Sequence, residues 1–140
     1  MLILYNRYVS KFNYIIESRV FLLIGTIFVA LVAIEHIYIM IMEMFMWTRP
    51  RTMKTFGTTP EFASSTKALA ANQGLYNGFL AAGLIWGLVY PDASVGLHIQ
   101  IFFLACVIIA ALYGGVSSSR SIIIKQGLPA IIALLLVLFL

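Results

Sequence analysis

Glu35, His36 and Glu43 stand inside one long apolar run, VFLLIGTIFVALVAIEHIYIMIMEMFMW at residues 20–47, where almost nothing else is polar. An ionisable side chain at bilayer depth costs a few kcal/mol or more and usually faces a protein interior, a partner or a water cavity. These three residues therefore mark where function is expected. Helical residues advance by about 100° each, so His36 and Glu43, seven positions apart, lie within about 20° of one face. Glu35 is displaced by about 100° from His36, and Met40 lies between His36 and Glu43. One broad side of this helix is thus polar at two depths. Glu43, one turn from Trp47, is the position nearer the interface. Carboxylates hidden there must be protonated or paired.

A second polar patch follows in LAANQGLYNGFLAAG at 69–83. On a helix, Asn72, Gln73, Tyr76 and Asn77 span about 140° of one side. They occupy the end of their helix nearest the connection at 48–66, and Glu43 occupies the same end of its own. The two patches are expected at matching depth, forming a polar pocket that opens toward Arg49, Arg51, Lys54 and Arg120. The competing reading is that Asn, Gln and Tyr serve as interhelical hydrogen bonds, worth about 0.6 kcal/mol each.

Other chemistry is less well supplied. A metal site needs more converging ligands than His36 and the distant His98 offer, so none is expected. No P-loop, dinucleotide fingerprint, zinc-protease motif or nucleophile elbow occurs. Cys106, in FFLACVIIA, is flanked by apolar residues and has no intrachain disulfide partner. It is read as inert.

The elements that position these residues follow from composition. The chain has 140 residues, 62% hydrophobic and 10% charged, against about 25% charged in soluble domains. A membrane helix needs roughly 20 apolar residues, and four such stretches are expected, at about 20–47, 67–90, 95–116 and 121–140. The fold class is all-α, a four-transmembrane-helix bundle at 20–140. Residues 1–19, where Leu4, Tyr8, Phe12 and Ile15 recur at helical spacing between Arg7 and Lys11, form an N-terminal extension read as an interfacial helix or a tail. The first apolar run is too long for a signal h-region and is read as a retained helix. The fourth is expected to run to Leu140, with no tail beyond it to carry an activity.

Pro50, Gly57 and Pro60 interrupt helix in the 48–66 segment, and Ser64 or Ser65 is expected to cap the second helix. Pro91 and Asp92 make a tight turn, and SSSR at 117–120 a polar one. The GxxxG spacings Gly74/Gly78 and Gly83/Gly87 allow close helix approach. Trp47, Trp86, Tyr90 and Tyr113 suit an aromatic belt. Lys and Arg favour one face: Arg49, Arg51, Lys54, Lys67, Arg120 and Lys125 against Arg7, Lys11 and Arg19. That places the 48–66 segment in the cytoplasm and both termini outside. Net charge is +4, without basic runs, so membrane lipid and not nucleic acid is the expected partner. The location is integral to a membrane, read as a cell membrane.

ALVAIEHIYIMIMEMFMWTRPR, FGTTPEFA, LAANQGLYNGFLAAGLIWGL, ALYGG and KQGLPAIIALLLVLFL, in that order, resemble the small membrane-protein family of domain of unknown function 1304. The resemblance covers about 24–140 and implies the fold more than an activity. More distantly, AANQGLYNGFLAAGLIW is similar in rhythm to the second helix of membrane-associated proteins of eicosanoid and glutathione metabolism. Those are four-helix proteins that form trimers and bind glutathione between subunits. The likeness implies a homo-oligomer, pocket roles for Asn72 and Tyr76, and Arg49, Arg51 or Arg120 on a peptide carboxylate. Leu75 stands where that family usually has Glu, and Lys67 only approximates its basic residue.

Three functions are therefore carried forward. The first is a membrane protein whose pocket, from Glu35, His36, Glu43, Asn72, Gln73, Tyr76 and Asn77, binds a small or lipid-like ligand. The second is a glutathione-dependent transferase, and the third a small proton-coupled transporter using Glu35 or Glu43. Whether the protein is an enzyme is left open.

Overall fold

The computed structural model describes the backbone of residues 2–139 and the side chains of residues 16–139. Among the described residues there are helices and turns and no strands. The elements are α1 (Leu2–Phe45), α2 (Pro50–Phe56), α3 (Pro60–Ser65), α4 (Lys67–Val89), α5 (Ala93–Ser117), a π-helical turn (Ile123–Gly127) and α6 (Leu128–Leu138). The π turn runs directly into α6, so four long helical segments result. Each packs on the next in chain order, and α6 packs back on α1, closing an up-and-down ring.

Local chemistry sets the ends. Pro50 and Pro60 stand in the first turns of α2 and α3, where a missing N–H costs nothing. Gly57 ends α2 at φ +64°, the one positive φ among the described residues and a conformation that favours glycine. Thr59 caps α3, its hydroxyl accepting from the Phe62 N–H at 3.3 Å. Asp92 caps α5, accepting from the Val95 N–H at 2.9 Å.

The structure differs from the sequence reading in four places. The first helix does not begin near residue 20: α1 is continuous from Leu2. The interfacial helix expected within 1–19 falls mostly on residues whose side chains lie outside the described ones. The 48–66 segment is not an open loop but holds α2 and α3. Thr66, rather than Ser64 or Ser65, takes the N-cap position of α4 and makes no side-chain cap bond there. The Ser65 and Thr66 hydroxyls instead donate to the Phe62 carbonyl, closing the end of α3. The fourth helix opens as a π turn, with the Leu128 N–H reaching the Ile123 carbonyl. Pro129 explains the widening: it has no N–H for the Lys125 carbonyl, and its ring crowds that carbonyl.

The apolar core lies midway along the bundle. Val29, Val32, Ala33, Leu84, Leu104, Val107, Ala130, Ala133 and Val137 are buried together, drawn from all four segments. Among the described residues two segments, Ile16–Phe45 and Ala93–Ser117, are long and apolar enough to cross a membrane.

Candidate functional site between α1 and α4

The α1–α4 seam is built on two glycines. A Cβ at Gly74 would sit 3.0 Å from Glu43 Cβ and 3.1 Å from the Met40 carbonyl oxygen, and one at Gly78 would lie 2.8 Å from Met40 Sδ. A larger residue at Gly78 must displace the Met40 side chain, and one at Gly74 also presses on the α1 backbone. The second spacing serves the next neighbour. Gly83 lies under the Phe103 ring, and a Cβ at Gly87 would be 3.0 Å from the Gly96 carbonyl oxygen. Both GxxxG spacings are thus used within one chain.

At this seam the two polar patches meet in one bond. Asn77 Nδ2 donates to Glu43 Oε2 at 2.8 Å, and both residues are buried. Asn77 also approaches the Gln73 carbonyl at 3.4 Å, a marginal contact. Among the described residues no hydrogen bond or ion pair reaches the other Glu43 oxygen, Oε1. Glu43 also lines an open cleft of about 240 Å³, with Trp47, Phe62, Thr66, Leu69, Ala70 and Gln73.

The connector forms one wall of this cleft. Trp47 Nε1 donates to Thr66 Oγ1 at 3.1 Å, and the Trp47 ring meets Phe56 edge-on with centroids 5.1 Å apart. Trp47 thereby ties the end of α1 to the start of α4, and it lines the cleft. Sequence reasoning missed Phe62 and Thr66, which the folded connector brings to Glu43, and Leu69 and Ala70, which the packing of α4 on α1 brings there. Trp47 carries a signal, one turn from Glu43, although its place near a helix end equally suits an aromatic belt.

The remaining expected site residues are placed elsewhere. His36 is buried a further 10 Å or so along α1. Its Nδ1 lies 2.9 Å from the Val32 carbonyl oxygen. That oxygen only accepts, so Nδ1 carries the proton and a neutral ring keeps its lone pair on Nε2. Glu35 is half-buried, and Asn72, Gln73 and Tyr76 are exposed on α4. Of these, Gln73 alone joins Glu43 at the cleft. Arg49, Arg51 and Arg120 are exposed at the same end of the bundle and do not line the cleft. Among the described residues no group of three His, Cys, Asp or Glu side chains is placed to hold a metal ion.

The chain is 39% identical over 107 residues to the uncharacterized protein YpaA of Lactococcus lactis subsp. lactis (strain IL1403), a match covering 75% of this chain and 88% of that protein. No solved structure matches the chain significantly. The family model described as protein of unknown function (DUF1304) matches residues 30–138, a stretch holding both walls of the α1–α4 seam. The chain belongs to the DUF1304 family.

Proposed function

We propose that this is an integral membrane protein whose four long helical segments all span the bilayer, and whose cleft between α1, α4 and the connector binds a small amphiphile. The membrane reading is supported by how little of the apolar surface the chain hides. Only 28% of the most apolar stretch of α1 and 22% of that of α5 is buried within the protein. Phe21, Leu31, Ile34, Phe102, Ile109 and Leu135 are among many large side chains left outward, which water tolerates poorly and lipid does not penalise. α4 is about 35 Å long, enough to span. The exposed bases Arg49, Arg51, Lys54, Lys67 and Arg120 gather at the connector end, which favours that end in the cytoplasm.

The observation that carries the binding reading is Glu43, a buried carboxyl with one oxygen fixed by Asn77 and the other without a protein partner beside an open cleft. A side chain serving only as packing glue has no need of a cleft. The apolar walls suit a chain, and the polar floor suits a head group. Native mass spectrometry of the detergent-purified protein tests this. A small amphiphile is expected to remain bound to the wild type and to be lost in Ala70→Trp, which fills the cleft. Equal retention in both would remove the reading.

A transferase of the glutathione type is the second reading. Asn72 and Tyr76 are exposed on α4, so a second copy would be needed to complete a site around them. Glutathione adducts on a trimer, abolished by Asn72→Ala, would favour it over the first.

A further inference from the structure

Resting on the reading of the cleft as an amphiphile site, we infer that its occupant carries an ammonium head, held by Glu43 between the aromatic rings of Trp47 and Phe62. Three features of the cleft point the same way. The first is charge. Glu43 is buried, and among the described residues no Lys, Arg or His pairs with it; its one bond is from the Asn77 amide. A buried carboxylate demands a cation or a proton, and Glu43, whose second oxygen receives no hydrogen bond or ion pair among the described residues, lines the cleft.

The second feature is the wall. Trp47 and Phe62 both line the cleft with Glu43. Indole and phenyl faces attract cations, most strongly when water is excluded, and a carboxylate with two rings is a donor set suited to alkylammonium. Trp47 is held in place by its bond to Thr66 and its contact with Phe56. That spares the ordering cost of binding.

The third is what the cleft excludes. The bases of this end, Arg49, Arg51, Lys54 and Lys67, are exposed and none of them lines it. An anionic head would meet the Glu43 carboxylate with no compensating cation in the cleft. Leu69 and Ala70 give the attached chain an apolar path.

The test uses the full chain in dodecyl maltoside on a Trp86→Phe background, so that fluorescence reports Trp47 alone. Dodecyltrimethylammonium, dodecyl sulfate and dodecanol share a tail and differ in the head. Dodecyltrimethylammonium is expected to give a saturable change at least tenfold tighter than either of the others. Glu43→Gln keeps an oxygen for Asn77, and so keeps the fold, and is expected to abolish that tenfold preference. An unchanged midpoint in Glu43→Gln, or a preference for sulfate, overturns the ammonium and leaves an amphiphile site standing. No saturable response to any head overturns both. In nanodiscs, competition by phosphatidylethanolamine assigns the ammonium to a membrane lipid, and lack of competition assigns it to a free amphiphilic amine; the ammonium stands in either case.

Discussion

The middle of the bundle and its connector end solve packing in opposite ways. In the middle, Val32, Leu84, Leu104 and Val137 are fully buried and drawn from all four segments, with no polar group in the cluster. About 16 Å along α1 from Val32, the seam holds a carboxyl, an amide, two glycines and a cleft. The middle is what a bundle needs to hold together. The connector end combines a close glycine approach with a hydrogen bond between two buried polar side chains. The proposed binding site rests on that buried acid beside a cleft.

Substitutions separate the two regions. The largest loss is expected in the middle: Leu84→Ala should destabilise by about 2–5 kcal/mol through the cavity it leaves, seen as a lower melting temperature with any bound amphiphile retained. Gly74→Val comes next, at about 1–3 kcal/mol, because its new atoms meet Glu43 and the Met40 backbone. It should lower the melting temperature and empty the cleft together. Asn77→Leu should also cost about 1–3 kcal/mol by leaving the Glu43 carboxyl without its donor, and thermal unfolding checks it. Arg120→Ala should be smallest, within about 0.5 kcal/mol. It should also leave amphiphile retention unchanged in native mass spectrometry, since the side chain is exposed and outside the cleft. A large loss of binding there would blur the boundary between the exposed basic end and the site.

How much of this could be read beforehand depended on whether the signal was local. The expected helix at 67–90 ends one residue earlier, at Val89, because Pro91 stops it. The sequence places Glu43 and the patch of Asn72, Gln73, Tyr76 and Asn77 at the same end of adjacent helices. The Glu43–Asn77 bond adds the partner that sequence could not give, since nothing local distinguishes Asn77 from Asn72. The structure buries the first and exposes the second, a choice made by which face of α4 the Gly74 and Gly78 approach turns toward α1. The connector was least legible. Its prolines and glycine read as breakers, yet Pro50 and Pro60 begin short helices, and Phe62 reaches the cleft only after α3 has formed. The π turn before α6 had a local cause in Pro129, but a proline in an apolar run predicts a kink or a stop as readily as a widened turn.

The sharpest test of whether the Glu43–Asn77 pair serves binding or packing is the unfolding stability of the double variant Glu43→Leu, Asn77→Leu. Replacing both partners of a buried polar pair with apolar groups of similar size is close to neutral or stabilising when the pair is not a structural necessity. A melting temperature at or above that of the wild type is the expected result. A melting temperature lower than that of Asn77→Leu alone would contradict it and make the pair a structural element of the seam.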